Sequence, residues 1–554
     1  MNDRRDGPSG PPNADVDERR GSASGPPRAR RTGGAATLVA IGILCSRLVG
    51  LVRQRVFGHY FGLSDTADAF NAAFRIPNIL QNLFGEGALS ASFIPVYAAL
   101  VERGDEREAS RVAGAIGAIL ALVTSVLVLI GVIVTPLLIT VIAPGFSGAK
   151  RELTISLVRI LFPGTGLLVF SAWCLGILNS HHKFLLSYTA PVLWNVAMIA
   201  TMVMFGERSQ DHLAVILAWG SVIGSALQFL VQVPSVRRLT PSLHLSLQTT
   251  SEHVREVMNN FAPVFLSRGV VQLSSYIDSL LATLLGTGAV SGFNAAQLLT
   301  TLPVSLFGGS VSAAELPAMS REAGQESAAR NEALRGRLDR GLRHIAFFVI
   351  PSAMAFFALG DVIAAALLQT GRFTHADAVY VWAIVAGSAI GLLAQTLGRL
   401  YSSTYYAIRD TRTPVRYAIV RVVLTTVLGY LCGRRLPPLI GIPLEWGAAG
   451  LTASAGVAGW VEFTMLRRTL NDRIGRTGLP ASFVARLWVS AIAGAAAAWA
   501  VKLTLPFRDP IVVAIAVLGT YGTIYLGLTI ATGVPEARGA LSRITSRSRA
   551  SSSR

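Results

Sequence analysis

Residues 46–95 read SRLVGLVRQRVFGHYFGLSDTADAFNAAFRIPNILQNLFGEGALSASFIP. This stretch has the length and apolar content of two membrane helices joined by a short polar turn. Charged side chains nevertheless recur along both helices: Arg47, Arg53, Arg55, Asp68, Arg75 and Glu86. A charge at the centre of a bilayer helix costs about 2.5–3.5 kcal/mol on insertion scales, and such residues usually face a partner or an internal cavity. The stretch therefore predicts a polar chamber inside a membrane protein.

The composition of the whole chain supports this class. Of the 554 residues, 52% are hydrophobic and 14% are charged, whereas a soluble domain has about 25% charged residues. Apolar runs of about 20 residues, each enough to cross a bilayer as a helix, recur along the sequence and are too long for barrel strands. We expect an all-α polytopic membrane protein with about fourteen transmembrane helices within residues 36–533.

The basic residues indicate how the chain is oriented. The net charge is +18, from 49 Lys and Arg against 31 Asp and Glu. Because cytoplasmic loops of membrane proteins are enriched in Lys and Arg, this excess predicts both termini inside and no nucleic-acid partner. The three cysteines form no CxxC pair, and the eight histidines show no ligand spacing. No nucleophile–base set or P-loop is present, so we expect a transporter and neither an enzyme nor an ATP-driven pump.

An internal repeat divides the chain. FNAA at 70–73 recurs 223 positions later at 293–296, and Phe84-Gly85 recurs with the same offset at Phe307-Gly308. Ser46-Arg47 recurs as Ser267-Arg268. An ordered series at nearly constant offset predicts two parallel six-helix lobes around a central cavity. The predicted boundaries are a disordered basic tail (1–34), an N-lobe (35–237), a cytoplasmic linker (238–252), a C-lobe (253–470), two further helices (481–534) and a basic cytoplasmic tail (535–554).

The depths of the charges separate their expected roles. With a rise of about 1.5 Å per residue, Arg47 lies about 16 Å along the first helix and Arg53 about 26 Å. Asp68 begins the second helix from the outer side, at the level of Arg53. We expect Arg47 in a central anion site, an Arg53–Asp68 pair as an outer latch, and Arg55 extended to the outer interface. A purely structural ion pair remains the alternative for each arginine.

Glu86 lies toward the cytoplasmic side of the returning helix and is a candidate for an inner latch with a cationic partner. It is flanked by two glycines that permit a bend in the helix, Gly85 and Gly87.

SRLVGLVR, TADAFNAAFRIPN and FGEGALSASFIPV closely resemble the N-terminal lobe of the MurJ (MviN) family of lipid II flippases. APGF at 143–146, GILN at 176–179, GRFT at 371–374 and RDTRTPV at 409–415 extend the resemblance over about residues 36–535. It implies the fold of the multidrug/oligosaccharidyl-lipid/polysaccharide exporter superfamily. It also implies alternating-access movement of lipid II, an undecaprenyl-pyrophosphate-linked disaccharide-pentapeptide, from the inner to the outer leaflet of the bacterial cytoplasmic membrane in cell wall biogenesis.

The resemblance carries further expectations. The chain would be a monomer in contact with membrane lipid and with the cell wall synthesis machinery, and residues 481–534 would form a groove for the polyprenyl tail. Some relatives bind sodium in the second lobe. Asp278 in SSYIDSLL is therefore a candidate sodium ligand, and no other cofactor is expected. Membrane potential and an ion gradient both remain open as energy sources.

The chemistry of the residues agrees with an anionic substrate. Arginine stays charged and presents a planar fork to phosphate oxygens, so Arg47, Arg53, Arg75 and Arg268 are the predicted substrate-binding residues. The family often has an arginine near Gln81 and Asn82, and an Asp-Arg pair at Gln297 and Leu298, which this chain lacks. We expect Arg268, at the repeat position of Arg47, to supply lost positive charge.

Three other functions remain open. A multidrug or cation antiporter on the same fold would favour an acidic cavity, opposite to the cationic first helix seen here. An exporter of another polyprenyl-linked saccharide is not excluded by charge. A non-transporting scaffold would leave the buried charges unexplained.

Overall fold

The computed structural model describes residues 32–247, 251–322, 327–506 and 509–539, so most of both predicted tails lies outside the described residues. The first half of the chain contains eight helices: α1 (Thr32–Phe61), α2 (Asp65–Asn82), α3 (Ser90–Glu102), α4 (Glu106–Ile142), α5 (Gly148–Ser180), α6 (Phe184–Phe205), α7 (Gln210–Leu230) and α8 (Val233–Leu239). The second half contains α9 (Glu252–Thr283), α10 (Ala289–Pro303), α11 (Ser310–Glu322), α12 (Ser327–Leu368), α13 (His375–Ala407), α14 (Arg412–Tyr430), α15 (Leu436–Leu439) and α16 (Gly447–Ile474). Two more helices follow, α17 (Ala481–Thr504) and α18 (Pro510–Ala531).

The helices differ in how apolar they are, and the difference follows from what they face. In the described part of the chain, nine helices are long and apolar enough to cross a membrane: α4, α5, α6, α7 with α8, α12, α13, α14 with α15, α17 and α18. The remaining long helices include α1, α2, α9 and α10, which surround a polar cavity. The all-α polytopic class is confirmed, while the count of fourteen spans stays a prediction.

The sequence repeat is a structural repeat. α2 and α10 both carry the FNAA motif, and each ends in a π-helical turn, Leu83–Leu89 and Val304–Gly309. Phe84-Gly85 lies in the first turn and Phe307-Gly308 in the second, and α3 and α11 then continue the two helices. Such turns insert an extra residue into a helix and are frequent at functional sites. Gly85 and Gly87 both lie in the first turn, and the bend expected there stays a prediction.

Helices of the same half pack mainly on one another. In the first half α1 packs on α6, and α5 packs on α2 and α7; in the second half α13 packs between α12 and α16. α17 and α18 lie against α12, where the Tyr521 and Tyr525 hydroxyls donate to the carbonyls of Pro351 and Phe347 at 2.7 Å. We keep the division into two lobes as an interpretation of this packing.

The two ends of the bundle close differently. We call the end with the α1–α2 turn (residues 62–64) the turn end, and the end with the α3–α4 turn (residues 103–105) the basic end. At the turn end, α2 contacts α10 and α1 contacts α12. At the basic end, α9 packs on the first half: the rings of Phe265 and Phe84 lie 4.9 Å apart, and the Ser251 hydroxyl donates to Glu108 at 2.6 Å.

Candidate functional site

A cavity of about 530 Å³ lies between the two halves, lined by α1, α2, α9 and α10. Its polar lining consists of Arg47, Arg53, Gln54, Asn71, Arg75, Asn78, Tyr276, Asn294, Gln297 and Thr301. Three of the four arginines predicted to bind substrate therefore share one cavity. Because no carboxylate is among its described lining residues, the cavity is strongly cationic.

Arg47 lies on the cavity wall formed by α1, with an exposed side chain. The choice between a substrate role and a structural ion pair for Arg47 stays a prediction.

Arg53 is held by aromatic rings. Its guanidinium lies 5.0 Å from the ring centroid of Trp194 and 5.9 Å from that of Phe74, and Nη1 lies 3.8 Å from the sulfur of Met198. Cation–π contacts orient a guanidinium without neutralising it. Arg53 thus keeps its positive charge for the cavity.

Arg75 joins the two halves. Its guanidinium donates to the side-chain oxygen of Asn294 on α10 and lies 5.6 Å from the centroid of the Phe293 ring. The Tyr276 hydroxyl of α9 donates to the Arg75 carbonyl at 3.1 Å. These partners are also uncharged, so Arg75 adds a third positive charge to the cavity.

Asp68 closes the turn end, but with partners other than the predicted one. Its carboxylate is fully buried and accepts hydrogen bonds of 2.8 Å from the backbone N–H groups of Gly288 and Ser291 and from Lys150 Nζ. It therefore caps the N-terminus of α10, where unpaired N–H groups and the helix dipole favour a negative charge.

The predicted Arg53–Asp68 pair is wrong for this structure. The estimate of depth placed both residues at one level, but helix rotation turns Arg53 toward Trp194, and the α10 N-terminus offers Asp68 two backbone donors. Lys150, which also binds Asp65 at 2.8 Å, was missed because it lies in a different part of the sequence.

The contacts between α2 and α10 join residues at equivalent or neighbouring positions of the repeat. Asp68 and Ser291 occupy equivalent positions of the repeat, 223 residues apart, and bind each other. Asn71 and Asn294 are likewise equivalent: Asn71 donates to the Ser291 hydroxyl at 3.1 Å, and Asn294 accepts from Arg75. The two copies of the motif thus face each other across the closed turn end.

Arg55 contacts the C-terminal end of α12, and its expected position at the outer interface stays a prediction. Its Nη1 donates to the carbonyls of Ala366 at 2.7 Å and Leu367 at 3.1 Å, in the last turn of α12. A cation at a helix C-terminus satisfies free carbonyls and complements the helix dipole. Arg372 N also donates to the His59 carbonyl at 2.8 Å, so α1 is bound to the end of α12.

Some predicted site residues lie outside what the structure describes. The side chains of Gly85, Glu86, Gly87 and Arg268 are outside the described residues, although their backbone is helical. The inner latch at Glu86 and the compensating charge of Arg268 therefore stay predictions.

A second, smaller pocket of about 220 Å³ adjoins the cavity and contains Asp278. It also contains Arg399, which the sequence reasoning missed, as it missed the Arg421–Glu462 ion pair (3.3 Å) in the same half. Charges within apolar helices would have been the signal for all three residues. In the described part of the chain no three acidic, His or Cys residues cluster as metal ligands, and the sodium expectation for Asp278 stays a prediction.

Comparison with known proteins agrees with this geometry. A family model described as lipid II flippase MurJ matches residues 57–518. A lipid II flippase MurJ from Burkholderia cenocepacia is 33% identical over 439 residues, 78% of this chain and 82% of the relative. A probable lipid II flippase MurJ from Haemophilus influenzae is 29% identical over 470 residues, 82% of this chain and 90% of the relative.

Solved structures share the fold. A lipid II flippase MurJ in an inward closed conformation matches with a TM-score of 0.72 and 23% identity, over 89% of this chain and 98% of that chain. An inward-facing multidrug resistance transporter of the MATE family matches with a TM-score of 0.61 and 18% identity, over 79% of this chain and 98% of that one. Since the family model spans most of the sequence, this chain is a multi-pass membrane protein that belongs to the lipid II flippase MurJ family.

Proposed function

We propose that this protein is a lipid II flippase: it moves the undecaprenyl-pyrophosphate-linked disaccharide-pentapeptide from the inner to the outer leaflet of the cytoplasmic membrane. The observation that carries the proposal is a cavity between two repeats lined by Arg47, Arg53 and Arg75, without a carboxylate among its described lining residues. A pyrophosphate dianion in a membrane needs fixed positive charge, and guanidinium groups bind phosphate oxygens in pairs.

The protein acts as a transporter and not as an enzyme, by alternating access. In the present conformation Asp68, Lys150 and the N-terminus of α10 close the turn end, which faces the outside in our proposal. Removing one partner from a buried, hydrogen-bonded charge pair costs about 2–5 kcal/mol, so this contact holds the closed state firmly. Opening to the outside separates α2 from α10 and exposes the substrate, while Glu86 on the first π-helical turn holds the basic end closed.

The same proposal places both basic tails in the cytoplasm and the protein in the bacterial inner membrane. The polyprenyl tail lies along α17 and α18, whose small residues pack closely on α12. The protein works as a monomer beside the cell wall synthesis machinery, and a membrane potential or an ion gradient drives it.

The residues of the cavity argue against one of the rival functions. A cation antiporter needs negative charge where this cavity presents three arginines. An exporter of another polyprenyl-linked saccharide would use the same arginines, so only the substrate separates it from a lipid II flippase.

The test is replacement of an essential lipid II flippase in a bacterium by this chain. We expect growth to be restored, together with exposure of lipid II at the outer leaflet, measured with a lipid II-degrading toxin added from outside. Arg47→Ala serves as the control variant that inserts but does not flip. A well-expressed, correctly inserted wild-type chain that restores neither would overturn the proposal and favour the exporter of another saccharide.

A further inference from the structure

The pocket that contains Asp278 opens beside the arginine-lined cavity. Gln297 and Thr301 of α10 line both spaces, so the pocket and the cavity adjoin along this helix. The rest of the pocket belongs to the second half, with α9, α13 and α16 as its walls. Its volume of about 220 Å³ is below the range of about 300–1,000 Å³ for a whole ligand, so it fits a part of one.

Three hydroxyls of this pocket present acceptors to it. The hydroxyls of Ser388 and Thr452 both donate to the Ile384 carbonyl, at 3.0 and 2.8 Å, and the Thr300 hydroxyl donates to the Ala296 carbonyl at 3.0 Å. Because each hydroxyl has one hydrogen, their oxygens are left with lone pairs that accept. These oxygens suit a ligand that carries N–H or O–H donors, while Gln297, Gln395 and Arg399 in the same lining offer donors to ligand acceptors.

Two charged groups of opposite sign add to this lining. Asp278 Oδ1 is buried without a hydrogen-bond partner, which leaves its negative charge short of donors. Arg399 has an exposed side chain on the α13 wall of the pocket. A buried acceptor without a partner calls for an explanation such as a ligand, an ion or water.

We propose that this pocket receives the peptide stem of the lipid-linked substrate, with an ammonium group near Asp278 and a carboxylate at Arg399. The inference rests on the proposed function and adds to it that two parts of the substrate bind at two separate sites. The cavity lined by Arg47, Arg53 and Arg75 takes the pyrophosphate, and the mixed-charge pocket takes the zwitterionic peptide. A peptide that contains a diamino acid and ends in a free carboxylate has both of the groups required.

The test compares two ligands on the purified full chain in nanodiscs. One is lipid II with a native peptide, and the other is the same molecule with its amine acetylated and its carboxylates amidated. We expect the wild type to bind the native ligand about 10- to 100-fold more tightly, as for hydrogen bonds to charged groups. In Asp278→Asn and in Arg399→Gln this ratio should fall toward one, whereas it should persist in Asp472→Asn, which removes an exposed acid on α16.

The outcomes separate this inference from the proposed function. A wild type that binds neither ligand overturns the flippase proposal, whereas equal binding of both overturns only the peptide pocket. If Asp278→Asn keeps the preference for the native peptide and instead abolishes a dependence of binding on sodium, the pocket is a cation site and the inference is wrong. Thermal unfolding of each variant checks that it is folded.

Discussion

The two copies of the repeated motif have the same backbone structure but differ in charge. The first copy consists of α2, its π-helical turn and α3, and the second of α10, its turn and α11. The first copy carries Asp68 and Arg75, where the second carries Ser291 and Leu298. Because Asp68 and Ser291 face each other, carboxylates at both positions would repel. One carboxylate facing a helix N-terminus closes the turn end. The repeat thus provides the scaffold, and the difference between its copies provides the gate and the site.

The largest expected effect is on the stability of the closed turn end, and it should come from removing the charge of Asp68. In Asp68→Asn the N-terminus of α10 and Lys150 lose a buried anion, which should weaken the closed turn end by about 2–5 kcal/mol. Opening of the turn end is followed with Ser291→Cys in a chain whose native cysteines have been replaced. Ser291 is only 3% exposed, so a thiol at this position reacts when the turn end opens. Labelling by an impermeant thiol reagent from outside should become at least about 30-fold faster.

The matched control is Asp65→Asn. Asp65 binds the same Lys150 at 2.8 Å, but its side chain is 57% exposed, whereas that of Asp68 is buried. Since exposed ion pairs contribute about 0–1 kcal/mol, labelling should change little. Equal acceleration in both variants would contradict the assignment of the gate to Asp68.

The second effect concerns the cations at equivalent positions, Arg47 and Arg268. If both serve the pyrophosphate, Arg47→Ala and Arg268→Ala should each fail to restore growth in the replacement assay, since each loses a charged hydrogen bond of about 1.5–3 kcal/mol. Immunoblots of membrane fractions check expression. Normal growth with Arg268→Ala would show that the second copy contributes no cation.

A third experiment exchanges the residues at one pair of equivalent positions, Arg75 in the first copy and Leu298 in the second. Arg75→Leu gives the first copy the residue of the second and should weaken binding of lipid II about tenfold or more, measured by native mass spectrometry. Leu298 lines the same cavity, so Arg75→Leu combined with Leu298→Arg returns the charge from the opposite wall. We expect the pair to recover part of the affinity. No recovery at all would mean that the position of Arg75, between Asn294 and Phe293, matters more than its charge.

The smallest effect should lie in the second π-helical turn. A Cβ on Gly308 would lie 2.4 Å from the methyl group of Thr396 on α13, whereas one on Gly309 would be 4.0 Å from its nearest neighbour. Overpacking costs about 1–3 kcal/mol and the change from Gly to Ala in a helix returns about 1 kcal/mol. Gly308→Ala should therefore lower the thermal unfolding midpoint in detergent slightly, and Gly309→Ala should not. The reverse order would show that the turn does not pack as described.

The sequence alone determined the class of protein, the repeat and three of the cavity arginines. These features follow from local properties: apolar runs long enough to cross a bilayer, motifs that recur at one offset, and charges too costly to leave in lipid. For the same reason Arg47, Arg53 and Arg75 were recognisable as residues that face a polar interior.

Only the tertiary structure shows which residues the charged side chains bind. Asp68 binds residues 82 to 223 positions away, and Arg55 binds carbonyls 311 and 312 positions away. Distance along a helix gives depth in the membrane, but the rotation of each helix and the position of a facing N-terminus depend on the packing of the whole bundle. Arg399, Arg421 and Glu462 carry the same sequence signal of a charge within an apolar helix. Only the packing shows that Arg421 pairs with Glu462 and that Arg399 lines the pocket of Asp278.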